Sequence, residues 1–162
     1  MVSVDTIVQE EFTLTDINIR IESELDIQSY LQNLNYALDH GALISFQKNR
    51  VVDDNRDVKH TNQYTVSDLF PNEDPKTALK RELRKLTVEN YIRTVKDTRF
   101  MNKSEMREFG KTYPDKGDVY IKIRVELLTA FGNHTVFIMS FHYAERPFTD
   151  SEFPYLKKGK QL

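Results

Sequence analysis

The stretch from Gly117 to Phe148, GDVYIKIRVELLTAFGNHTVFIMSFHYAERPF, constrains the fold more than any other part of the chain. Val119, Ile121, Ile123, Val125 and Leu127 are apolar and alternate with Tyr120, Lys122, Arg124 and Glu126. A period of two predicts a strand with one buried face. Ala130 to His134 forms a short linker containing Gly132-Asn133, a turn-forming pair. A second β-rich run follows from Thr135 to Tyr143. Strict alternation places Phe137, Met139 and Phe141 on one face of it, and Val136, Ile138, Ser140 and His142 on the other. Pairing the runs as an antiparallel hairpin, apolar face to apolar face, sets Ile121 near Phe141 and Ile123 near Met139. Because a one-residue slip would turn every side chain over, parity is well specified. On the polar face Tyr120 then lies opposite His142 and Lys122 opposite Ser140, with facing Cβ atoms roughly 5 Å apart, and Arg124 lies beside them.

Within 162 residues there is room for one domain with a real hydrophobic core. Residues 1–25 form an extra N-terminal strand segment, 26–148 the core, and 149–162 a C-terminal tail. With 30% charged residues and no apolar run of the roughly 18 residues that span a bilayer, a soluble, cytoplasmic protein without membrane partners is expected. The beginning, MVSVDTIVQEE, lacks the basic-then-apolar pattern of a signal peptide. The absence of Cys excludes disulfides, thiolate ligands and a Cys nucleophile. His40, His60, His134 and His142 are scattered without metal-site spacing, so neither a metal nor another cofactor is expected.

The net charge of −2 conceals an asymmetry. Residues 1–75 hold 5 Lys/Arg against 14 Asp/Glu, residues 76–111 hold 11 against 5, and residues 112–162 hold 7 against 6. A locally basic block can attract phosphate in a slightly acidic protein, although such a block is more often a solvated helix surface.

Elsewhere the alternation of Ile17, Ile19 and Ile21, with Phe12 and Leu14 before a Thr15-Asp16 turn, predicts one or two strands. Asp26 can cap a helix carrying Ile27, Tyr30, Leu31, Leu34 and Leu38, which Gly41 ends. Leu43 to Val52 reads as a strand and a polar loop, and Asp53 to Asn62 as loop. Thr65 or Ser67 can cap a short helical turn that Pro71-Asn72 breaks. Asp74-Pro75 opens a helix with Ala78, Leu79, Leu83 and Leu86 inward. Thr87 can cap another with Val88, Tyr91, Ile92 and Val95 inward, and residues 97–116 read as irregular.

Four segments, LTVENYIRTV at 86–95, REFGK at 107–111, DVYIKIRV at 118–125 and FIMSFHYAERPF at 137–148, resemble the MqsR family of toxins from bacterial toxin–antitoxin systems, within the RelE-like group of small ribonucleases. They are similar to that family's helix ending in an aromatic pair and a lysine, its "VYIKL" strand and its terminal "ISF" strand. The resemblance covers roughly residues 26–148 and implies an α+β fold with helices packed on a mostly antiparallel sheet. It also implies metal-independent endoribonuclease action on mRNA, on or off the ribosome, and neutralisation by a cognate antitoxin protein. By position, the family's active-site tyrosine falls on Tyr120, its strand lysine on Lys122, the catalytic lysine after "SF" on His142 and the helix lysine on Arg93. The glutamine upstream of the strand falls near Arg107.

Metal-free RNA cleavage needs a base for the 2′-OH proton, an acid for the leaving 5′-oxygen and cations for the transition state. His142 and Tyr120 are the candidate acid/base groups, and Lys122 and Arg93 the candidate catalytic cations. Arg93 can hold a phosphate but cannot transfer a proton. Arg107, Arg124, Lys96 and Lys111 are the candidate RNA-binding cations. Tyr91 and Tyr113 fit packing better than base stacking. Two readings stand: a ribonuclease toxin, and a non-catalytic RelE-like module that binds RNA or protein through the same face. Catalysis requires an open concavity around His142 and Tyr120; a His142 buried in the core favours the second.

Overall fold

The computed structural model describes residues 17–49, 57–100, 102–128 and 132–157. The expected strand around Phe12 and Leu14, residues 50–56 of the expected polar loop, and part of the 130–134 linker lie outside them.

Strand β1, Ile17–Arg20, precedes helix α1, Glu24–Asp39. Ser23, three residues before Asp26, is the N-cap: its hydroxyl accepts from the Asp26 amide at 3.1 Å. Asp26 sits instead in the first turn, where a carboxylate complements the helix dipole. The expected stripe of Ile27, Tyr30, Leu31, Leu34 and Leu38 is buried, and Gly41 follows at φ 72°, a left-handed conformation suited to glycine. Strand β2, Leu43–Phe46, comes next. Helix α2, Asn62–Leu69, starts earlier than Thr65 would cap it, because Thr61 accepts from the Tyr64 amide. Helix α3, Pro75–Leu83, opens as expected on Asp74, whose carboxylate accepts from the Thr77 amide at 3.0 Å.

The expected helix after Thr87 does not form. Thr87 caps only a 3-10 turn, Val88–Asn90, and strand β3 runs from Tyr91 to Asp97. The region read as irregular contains β4, Met106–Tyr113. Both strands are interior, and their polar side chains find partners within the protein, so neither shows the alternation of a half-solvated strand. Strands β5, Gly117–Glu126, and β6, Thr135–Tyr143, are the expected antiparallel hairpin.

The six strands form one sheet in the order β1-β3-β4-β5-β6-β2, antiparallel except for β2 beside β6. The fold is α+β, with three α-helices among the described residues. One core unites the inward residues of α1 and α3 with Phe109, Ile121, Ile123, Val136, Ile138 and Phe141.

The hairpin register departs from strict alternation at one place. Ile121 pairs with Phe141, Tyr120 with His142 and Lys122 with Ser140, but Ile123 pairs with Ile138 across a bulge. Met139 is the extra residue. Beyond it the faces of β6 exchange: Val136 and Ile138 are fully buried against the core, while Phe137 lies opposite Arg124 on the other face. Asn62 of α2 stabilises this irregularity. Its side-chain amide donates to the Met139 carbonyl at 2.9 Å, and its side-chain oxygen accepts from the Phe141 amide at 2.9 Å. Thr65 accepts from the Tyr143 amide at 2.8 Å. Since β2 pairs only as far as Ile138, α2 side chains satisfy the rest of the β6 edge.

The C-terminal segment is part of the structure. The rings of Phe148 and Phe153 lie over Gly110, where a Cβ would come within 2.6 Å of Phe148 and 2.8 Å of Phe153. The Phe148 amide donates to Asp118 at 2.9 Å, and Tyr155 stacks on Tyr91 and donates to the Glu22 carbonyl.

Glu22 anchors a buried network between the start of α1, β3 and β4. Arg107 donates to it through Nε at 2.8 Å and Nη2 at 3.1 Å, and Thr94 donates to it as well. Burial alone would raise the Glu22 pKa, but the Arg107 and Thr94 hydrogen bonds outweigh it and the carboxyl sits below its ordinary value. A depressed folded-state pKa gives stability that is present above the unfolded-state value and is lost as pH falls through the folded-state value. Glu22→Gln should therefore lower stability by about 1.5–3 kcal/mol at neutral pH, and the gap to wild type should narrow in acid. Urea unfolding at both pH values checks this; a pH-independent gap would contradict the ionic role.

Candidate functional site

The face of the sheet opposite α1 carries the candidate catalytic groups. Pairing across β3, β4, β5 and β6 sets Arg93, Glu108, Lys122 and Ser140 in one row, and Gly110, Tyr120 and His142 in the next. The Tyr120 and His142 rings are 5.4 Å apart and tilted by 43°. His142 Nδ1 lies 3.0 Å from the Tyr143 carbonyl oxygen. A carbonyl only accepts, so in the neutral ring Nδ1 carries the proton and Nε2 the lone pair.

His142 stands outside the helix-side core, as parity requires, but it is only 8% exposed. The expectation of an open position is thus met in direction and not in exposure. The strap over Gly110 covers this end of the face, since Gly110 is the direct neighbour of Tyr120. Asp118 and Thr112, hydrogen-bonded at 2.6 Å, continue the face beneath it.

Glu108 is the central residue that sequence reasoning missed. It is 2% exposed and bridges two candidate cations. Arg93 Nε donates to Oε1 at 2.7 Å, and Lys122 Nζ lies 3.7 Å from Oε2. Asp97 lies near the same lysine: burial raises its pKa, but the Arg99 hydrogen bonds outweigh that, and Lys122 adds to the net lowering. The field on this face is therefore mixed rather than simply basic. Recognising β4 would have placed Glu108 one residue from Phe109 and hence on the polar side, but the chain around it shows no alternation.

Arg124 completes the face. Its guanidinium lies 4.8 Å over the Phe137 ring and donates to Met106 Sδ at 3.5 Å.

The other three candidate RNA-binding cations are not gathered here. Arg107 pairs with Ile123 and points to the helix side, where it lies 4.5 Å over the Tyr30 ring and binds Glu22. Lys111 pairs with Val119, also on the helix side, near the Tyr113 ring at 5.8 Å, and burial lowers its pKa. Lys96 donates to the Lys103 carbonyl in the β3–β4 connection. The basic block thus divides between the two sides of the sheet, because side chains alternate along β3, where a helix is expected, and along β4, where irregular chain is expected. Tyr91 is fully buried and Tyr113 packs against Phe70 and Phe141, as packing residues do.

Among the described residues no cluster of three or more His, Cys, Asp or Glu side chains could hold a metal ion, and no helix is long and apolar enough to cross a membrane. Comparison with known proteins finds no matching family model, no similar curated protein and no similar solved structure.

Proposed function

We propose that the Tyr120–Lys122–His142 face cleaves single-stranded RNA, with mRNA as the substrate and the MqsR-like, RelE-like toxins as the nearest pattern. The observation that carries this reading is the cross-strand register, which sets a phenol, an imidazole and an ammonium side by side with Arg93 on one face. Segments VYIK and SFH, which resemble the family, lie on the two paired strands. Residues 91–97 depart from the pattern, being a strand where the family has a helix.

In the proposed reaction a base removes the 2′-OH proton, the 2′-oxygen attacks the adjacent phosphorus, and the P–O5′ bond breaks. His142 Nε2 takes the proton and Tyr120 donates one to the departing 5′-oxygen. Lys122 and Arg93 stabilise the charge on the phosphorane-like transition state. The products are a 2′,3′-cyclic phosphate and a 5′-hydroxyl, so DNA, lacking the nucleophile, is inert.

A second reading, a non-catalytic module binding RNA or protein, rests on the shielding of His142 and on Glu108, whose single carboxylate already engages both Arg93 and Lys122. In either case the antitoxin implied by the resemblance would compete for the same cations through an acidic segment.

Incubating purified protein with single-stranded RNA and identifying cyclic-phosphate ends separates the two readings; no cleavage with or without ribosomes rejects the first. RNA binding should weaken with salt, and Lys122→Ala should lower the slope of log K against log salt by about 0.7, one phosphate contact on a single strand. A slope unchanged in Lys122→Ala would remove this lysine from the RNA contact.

A further inference from the structure

We propose that Arg124 and Phe137 form a nucleobase-stacking platform beside the cleavage site, and that this pair sets the base preference of the RNA bound there. The proposal rests on the RNA reading of the same face and names the residues that would read a base.

The bulge creates the platform. Strict alternation along β6 would bury Phe137 together with Phe141, yet the extra residue at Met139 turns Phe137 to the polar face and places it opposite Arg124. Bulges commonly re-aim a side chain near a functional site. Here the result is an aromatic ring with a guanidinium 4.8 Å above it, both partly exposed. The guanidinium is under-used. Its Nη1 donates to a thioether sulfur, a weak acceptor, its nearest carboxylate, Glu126, is 4.0 Å from Nε, and Nε is buried without a hydrogen-bond partner. Arg93, by contrast, donates to Glu108 at 2.7 Å. A guanidinium placed over an aromatic ring offers the planar surfaces on which unstacked RNA bases stack, and its remaining donors suit base-edge or phosphate oxygens. Lys122 and Arg124 are two residues apart on one strand face, about 6.6 Å. That is about one nucleotide step of an extended chain, so a phosphate at Lys122 brings a neighbouring base to Arg124.

The test uses the full-length protein and a short 2′-O-methyl RNA, which cannot be cleaved by 2′-OH attack, beside the same backbone without bases. Fluorescence anisotropy should show wild type preferring the base-bearing chain on the order of 5- to 150-fold per stacked base. Phe137→Ala and Arg124→Lys should bring that ratio toward unity, with the larger loss on the base-bearing chain because Arg124→Lys keeps the charge but not the planar stacking surface. If Phe137→Ala unfolds, Arg124→Lys carries the test. Homopolymers of the four bases then read the preference, which should flatten in both variants.

A base-to-abasic ratio equal to wild type in the folded variants overturns the platform. Cleavage of ordinary RNA at unaltered positions by those variants overturns it too, and leaves the ribonuclease reading standing. Base-dependent binding without cleavage supports the platform and overturns catalysis. A wild type that binds neither chain overturns both.

Discussion

His142→Ala is expected to lower cleavage of single-stranded RNA by about 10²–10⁴, the usual loss when one general acid or base is removed. The ring is oriented by the Tyr143 carbonyl, 3.0 Å from its Nδ1, and stands 5.4 Å from the Tyr120 ring. Because it lies outside the helix-side core, circular dichroism should show the fold intact. Tyr120→Phe distinguishes two roles for the phenol: a loss comparable with that of His142→Ala marks proton transfer, and a smaller loss marks orientation of the phosphate. A folded His142→Ala variant as active as wild type would reject the catalytic assignment.

Phe141→Ala should cost about 3–5 kcal/mol, the range for removing a large aromatic side chain from a core. Phe141 is fully buried, pairs with Ile121, and has the rings of Phe70 and Tyr113 each 6.4 Å away. Phe137→Ala should cost distinctly less. It removes a partly exposed ring that makes a cation–π pair with Arg124, worth about 0.5–1 kcal/mol at exposed sites. Alternation alone would make the two phenylalanines equivalent, so their difference in urea unfolding reads the bulge directly. Equal losses would show that Phe137 is a core residue and would remove the stacking platform with it.

Several elements were legible in the chain because their signals are local. The α1 stripe repeats at helical spacing, Asp74-Pro75 announces α3, and the apolar parity of β5 against the C-terminal half of β6 places Tyr120 opposite His142. Each depends only on which residues must leave water and on how far apart they stand along a helix or strand. Tertiary structure decided the rest. Strands β3 and β4 are interior, and two of the charged residues of β4 are paired with groups on other elements: Glu108 with Arg93 and Lys122, Arg107 with Glu22. Buried ion pairs erase the polar-out pattern from which a strand is read, so Glu108 and the separation of Arg107 from the candidate site were hidden. The bulge at Met139 was hidden for a similar reason. Asn62, remote in sequence, supplies hydrogen bonds to the irregular edge, beyond which Phe137 turns toward Arg124.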